Sequence, residues 1–150
     1  MPTIVCYGDS NTWGAKPMPG RIVPQRFSAA ERWPGVLRQK LGAGFTVIEE
    51  GLNGRTTCLD DPVEGAHKNG LRFLPVVLET HAPFDLLVIK LGTNDLKYRL
   101  SMQPDDVADG AGLLVDLAKA SISGPGGKPP AVLLVSPAPL AALTWLSGMF

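Results

Sequence analysis

The sequence has little of several features that mark common protein classes. Only two of its 150 residues are cysteine and two are histidine, and the formal net charge is zero. The isolated Cys6 and Cys58 provide no zinc-binding or Cys-x-x-Cys spacing, so we expect reduced thiols and no metal site. A neutral chain is a poor partner for nucleic acid. No apolar run approaches ~18 residues, and residues 1–3 lead into a strand without a secretory leader. We therefore expect no membrane contact and a cytoplasmic location.

The apolar runs alternate with helical patterns, which predicts one domain over residues 1–150. Predicted strands cover residues 4–7, 45–48, 86–91 and 131–135, and predicted helices cover residues 32–41, 71–81 and 104–120. Strands and helices that alternate in this way form a parallel sheet with helices on both faces. The fold class is therefore α/β, a three-layer α/β/α arrangement with a flavodoxin-like sheet.

Four further features of the sequence lead to predictions about local structure. Ser28 and Glu31 have the spacing of a capping box for the first helix, and residues 51–70 form a loop long enough to be functional. Residues 132–135 are apolar on both faces, so another strand, helix or subunit is expected to cover them. Residues 140–150 have the pattern of a helix that begins without ending.

Two short motifs stand at the carboxyl ends of the first and third predicted strands. They are Gly8-Asp9-Ser10 and Gly92-Thr93-Asn94-Asp95. In a flavodoxin-like sheet these two strands are neighbours at the topological switch point, where ligands bind. A serine held there can attack a carbonyl group, and its own N–H can hold the resulting oxyanion. The Asn94 amide and the Gly54 N–H, from the loop after the second strand, can donate to the same oxygen.

Each of these residues also has a purely structural interpretation. Ser10 can be a turn serine, Asn94 can close an Asx turn, and Gly54 can serve a positive φ angle. Asp9 and Asp95 are expected to bind nearby backbone rather than to act as a catalytic acid.

The remaining candidates lie close to the motifs in sequence. Trp13 can form a wall of an acyl pocket, with core packing as an equal alternative, and Asp9 and Asn53 are the other candidate substrate-binding residues. His67 lies in the long loop, and His81 lies on the apolar stripe of the second helix, where packing or helix capping is expected.

Together the segments resemble the SGNH (GDSL-like) hydrolase family. Its blocks are matched by Gly8-Asp9-Ser10, residues 51–54 and Gly92-Thr93-Asn94-Asp95, while Arg32-Trp33 and Arg55-Thr56-Thr57 resemble the bacterial arylesterase/acyltransferase branch. The resemblance implies Ser10 as nucleophile, and the N–H groups of Ser10 and Gly54 with the Asn94 amide as oxyanion hole. It implies no metal or organic cofactor.

The family's final Asp-x-x-His block, which supplies the base and its acid, has no match here. We therefore expect a chain whose C-terminal part is missing, nearly inactive alone, with the base on a complementary fragment. The implied reaction is hydrolysis or transfer of small acetyl-like esters through an acyl-enzyme, in a homo-oligomer. The alternative is a non-catalytic binding or assembly module of the same fold. Nucleotide binding is disfavoured because the sequence has neither a GxGxxG nor a P-loop motif.

Overall fold

A computed structural model describes residues 1–20, 23–142 and 145–150. Its strands are β1 (Thr3–Gly8), β2 (Thr46–Gly51), β3 (Leu86–Lys90) and β4 (Ala131–Leu134), and its α-helices are α1 (Ser10–Trp13), α2 (Trp33–Leu41), α3 (Gly70–His81) and α4 (Pro104–Ala120). The strands form one parallel sheet in the order β2-β1-β3-β4. The α/β class and the flavodoxin-like neighbourhood of β1 and β3 are confirmed.

The two faces of the sheet carry separate cores because successive side chains of a strand point to opposite faces. Val5 and Tyr7 of β1 pack with residues of α3 and α4, whereas Ile4 and Cys6 pack with residues of α2. Helices on both faces give the expected three layers. Among the described residues, no helix is long and apolar enough to cross a membrane.

Two local predictions were wrong. The backbone N–H of Ser28 donates to Glu31 at 3.0 Å, but this contact lies in the turn before α2, whose N-cap is Arg32. The terminal helix is also absent, because residues 140–142 are irregular and residues 145–149 form turns. Positions 143 and 144 of that prediction lie outside the described residues.

The outer strand β4 leaves apolar surface uncovered. Leu133 and Leu134 are 50% and 47% exposed, and β3 is the only described strand that pairs with β4. That another strand, helix or subunit covers this surface stays a prediction.

Candidate active site

The turn after β1 presents Ser10 at the carboxyl edge of the sheet. Ser10 is the first residue of α1 and is partly buried. Asp9 is 1% exposed, and its carboxylate accepts hydrogen bonds from the Asn11 backbone at 2.9 Å and from the Asn11 amide at 3.2 Å. This is the local contact expected for Asp9, and burial raises the pKa of its carboxyl. Both contacts hold the turn, and substrate contact by Asp9 stays a prediction.

Two paired glycines allow α1 to lie against the sheet. Gly8 and Gly51 are register partners on β1 and β2. A Cβ atom at Gly8 would overlap Thr12, and one at Gly51 would overlap the backbone of Trp13. The absence of side chains at both positions lets the helix that carries Ser10 close onto the strand ends.

The loop after β2 turns sharply at Gly54. The Arg55 N–H donates to the Leu52 carbonyl at 3.1 Å, and Gly54 has φ +80°, which is the conformation that a type II turn requires at its third residue. Within the described part of the chain, the Gly54 N–H and the Ser10 N–H have no hydrogen-bond acceptor. Both donors are therefore unpaired within that part of the chain.

Asn94 follows β3 and is 7% exposed. Its Nδ2 donates one hydrogen bond to the Arg55 carbonyl at 3.1 Å. An amide nitrogen carries two N–H groups, so this contact fixes the side chain and leaves a second donor. A purely local Asx turn does not describe this contact, because its partner lies 39 residues away in sequence.

Arg55 is a buried residue at the centre of these contacts. Its guanidinium donates to the Gly8 carbonyl at 2.9 Å and to the Glu50 carbonyl, and it lies 4.0 Å from the centre of the Tyr7 ring. Burial lowers its pKa. Arg55 as a whole is 6% exposed. In the sequence, Arg55 stands out only as part of the Arg55-Thr56-Thr57 family resemblance.

Asp95 connects the third motif, Gly92-Thr93-Asn94-Asp95, to the loop after β2. It is fully buried and accepts from the Thr57 N–H at 2.9 Å and from the Thr57 hydroxyl at 2.6 Å. Burial raises the pKa of its carboxyl. Asp95 therefore binds backbone, but its partner Thr57 lies 38 residues earlier in the sequence rather than in the same turn.

A buried ionic cluster fixes the far side of the same loop. Lys97, 2% exposed, pairs with Asp61 at 3.1 Å and with Glu64 at 2.6 Å. Arg99 binds both oxygens of Asp61, at 3.0 and 2.7 Å. Glu64 also lies over Gly54, where a Cβ atom would overlap its carboxylate. The loop that carries Gly54 is thus held by side chains that follow the third motif.

The candidate substrate-binding residues differ in their surroundings. Trp13 is partly buried, and the Arg26 guanidinium lies 4.9 Å from the centre of its ring. The Asn53 carbonyl accepts from Lys68 at 2.7 Å, and the Asn53 side-chain oxygen is buried without a partner among the described residues. Substrate contact by Trp13 and Asn53 stays a prediction.

Neither histidine hydrogen-bonds to Ser10 in the part of the chain that the structure describes. His67 is exposed in a short 3₁₀ turn, Ala66–Lys68. His81 ends α3 and pairs through Nε2 with Glu50 at 2.7 Å, rather than packing in the core or capping its own helix.

An apolar groove of about 450 Å³ lies beside the third motif. It is lined by side chains of α4, by the end of β4 and by Leu91 and Leu96 on either side of the motif. Ser10, Gly54 and Asn94 are not among its lining residues. The groove belongs to the uncovered β4 edge and not to the three candidate donors.

Known proteins resemble this chain in sequence and in overall fold. The model of the GDSL-like lipase/acylhydrolase family matches residues 6–148. The native aryl esterase of M. smegmatis is 47% identical with a TM-score of 0.89, over 95% of this chain and 66% of that chain. Its inhibitor-bound form is 45% identical with a TM-score of 0.92, over 100% and 71%. A carbohydrate acetylesterase from Sinorhizobium meliloti is 40% identical with a TM-score of 0.92, over 100% and 71%. No curated protein matched.

The chain belongs to the GDSL-like lipase/acylhydrolase family. This confirms the family resemblance of its three motif blocks. The chain spans 66% of the length of the M. smegmatis aryl esterase in its native structure.

Proposed function

We propose that this chain provides the nucleophile and oxyanion hole of a serine esterase or acyltransferase that acts on small acyl esters. Ser10 Oγ attacks the ester carbonyl carbon, and the carbonyl oxygen takes up the negative charge. Collapse of this intermediate expels the alcohol and leaves the acyl group on Ser10, from which water or another alcohol releases it.

The observation that carries the proposal is a set of hydrogen-bond donors in the segments that follow β1, β2 and β3 at the carboxyl edge of the sheet. The Ser10 N–H and the Gly54 N–H are unpaired among the described residues, and Asn94 has a second amide hydrogen beyond its bond to Arg55. Donors aimed at a developing oxyanion are typically among the largest contributions to acyl transfer. Similar structures include an aryl esterase and a carbohydrate acetylesterase, which supports the same class of reaction.

We further propose that an Asp-x-x-His segment supplies the base, as the family resemblance implies. His81 is a poor candidate for this base because its Nε2 is already paired with Glu50. This favours a histidine from the added segment. The proton of Ser10 Oγ would pass to the imidazole of that segment during attack and then to the leaving alcohol.

The test is covalent labelling and turnover with the chain alone and with an added fragment that carries Asp-x-x-His. An organophosphonate is expected to label Ser10 in the presence of the fragment, and a small aryl acetate is expected to be hydrolysed. Ser10→Ala should abolish both. Ser136→Ala is the matched control, because Ser136 also follows a parallel strand at this edge.

Labelling that persists in Ser10→Ala would remove Ser10 as nucleophile. Strong hydrolysis by the chain alone that is lost in His67→Ala would make His67 the base. Absence of both labelling and turnover, with the fragment bound, would favour the non-catalytic binding module.

A further inference from the structure

We propose that Arg55 is the positioning residue of the oxyanion hole. This inference rests on the proposed function and names the residue that sets the geometry of all three donors. Arg55 has no predicted contact with substrate, so it would act through the groups that it holds.

The backbone of Arg55 reaches two of the three donors. Its N–H closes the turn on Leu52 and so sets the orientation of the preceding residue, Gly54. Its carbonyl accepts from Asn94 Nδ2 at 3.1 Å and so sets the plane of that amide. A shift of the backbone at this residue would therefore displace both donors at once.

The side chain of Arg55 links that backbone to the third donor. The guanidinium binds the carbonyl of Gly8, two residues before Ser10, and the carbonyl of Glu50 on β2. The ring of Tyr7 covers one face of the guanidinium at 4.0 Å. Tyr7 is itself fully buried and donates to the Gly70 carbonyl at 2.7 Å. The rigid end of β1 thereby fixes where the backbone of Arg55 lies.

A planar guanidinium suits this task because it can bind two carbonyls and stack on a ring at the same time. Both carbonyls accept from Nη1 of Arg55, so lysine can keep the charge and hydrogen bonds from one nitrogen, but it loses the planar group that stacks on the Tyr7 ring. Arg55→Lys is therefore expected to keep the fold but to hold the three oxyanion-hole donors less firmly in place. A misplacement of about 1 Å in such a site typically reduces turnover by about 10²-fold.

The first measurement compares kinetics per active site. Wild type, Arg55→Lys and Arg55→Met are assayed on a small aryl acetate with the Asp-x-x-His fragment, and active sites are counted by organophosphonate labelling. We expect kcat to fall about 10-fold or more in Arg55→Lys, further in Arg55→Met, with KM nearly unchanged. Arg38→Lys is the control, because Arg38 also binds a backbone carbonyl and a carboxylate on β2.

A merely structural role predicts a different result. Arg55→Lys and Arg55→Met would then melt at lower temperature than wild type, while kcat per labelled site stayed at the wild-type value. An unchanged kcat in Arg55→Lys, or an equal loss in Arg38→Lys, would overturn the proposal.

A second measurement needs no turnover and separates this proposal from the proposed function. The side-chain amide of Asn94 is followed by NMR in ¹⁵N-labelled chains. Its signal should move in Arg55→Met and remain in place in Arg38→Lys, because it reports the Arg55 carbonyl from 39 residues away. An unmoved Asn94 signal in Arg55→Met refutes the positioning role. If wild type neither labels nor turns over while this signal moves, the esterase function fails and the positioning role stands.

Discussion

Replacing Asp61 by asparagine tests how much the ionic cluster contributes to this fold. Asp61 is 1% exposed and is bound by Lys97 and by Nε and Nη2 of Arg99. In Asp61→Asn, the buried Lys97 ammonium keeps Glu64 as its one carboxylate partner among the described residues and shares it with Arg99, a second cation. Loss of one partner from a buried pair typically costs about 3–5 kcal/mol. For a domain of this size we expect Tm to fall by ~6–20 °C.

The neighbouring Asp60 provides the matched control. Its side chain is 47% exposed, and it pairs with Arg72, which is 59% exposed. Exposed pairs of this kind contribute about 0–1 kcal/mol, so Asp60→Asn should leave the free energy of unfolding nearly unchanged. Urea titrations of the three proteins, compared at equal m-value, measure the difference. If Asp61→Asn is no less stable than Asp60→Asn, the cluster does not stabilise the fold.

The acid dependence of stability provides an independent check. Burial by itself would raise the pKa of Asp61, but hydrogen bonds from Arg99, from the Glu64 and Val63 backbone and from Lys97 hold it well below its ordinary value of 3.8. The folded state therefore binds fewer protons than the unfolded state as the pH falls through that value. The stability that Asp61 contributes is complete above the pKa of its carboxyl in the unfolded state. It is lost as the pH falls toward the lower pKa of the folded state. The stability gap between wild type and Asp61→Asn should narrow below about pH 4.

Two further predictions concern the motifs and the thiols. Asn94→Ala should lower turnover by about 10²–10³-fold through loss of one oxyanion donor, with most of the protein still folded by thermal melting; activity that falls only in step with unfolding would make Asn94 a structural residue. A thiol reagent should modify Cys58 in the folded protein and spare Cys6, which is fully buried with its pKa raised to about 12, mainly by burial. Rapid reaction of two thiols without denaturant would contradict the placement of Cys6 in β1.

The elements with a clear apolar period could be predicted from the sequence. The helix predicted over residues 104–120 has those bounds in the structure. β2 was placed too early because its second half is acidic. Glu49 and Glu50 continue the pairing with β1, since arginines neutralise Glu49 and His81 binds Glu50. Apolarity alone cannot detect a strand whose charges are neutralised by other segments.

The same limit explains what was missed at the candidate site. Residues such as Arg55 and Lys97 are normally expected at the surface. Their partners lie 47 and 36 residues away, at Gly8 and Asp61, so no local pattern shows that they are buried. The motif residues were accessible to sequence reasoning because each directly follows a strand, and strand order alone brings their segments to one edge.

The strand order has a consequence for how the chain is made. β1 is synthesised first but lies inside the sheet, between β2 and β3. About 80 residues separate the end of β1 from the start of β3, which corresponds to about 4–16 s of translation at ~5–20 residues per second. During that interval β1 can pair with β2 alone, and its other edge stays open on the ribosome. The open edge of β1 is therefore an aggregation hazard in the nascent chain until β3 emerges and pairs with it.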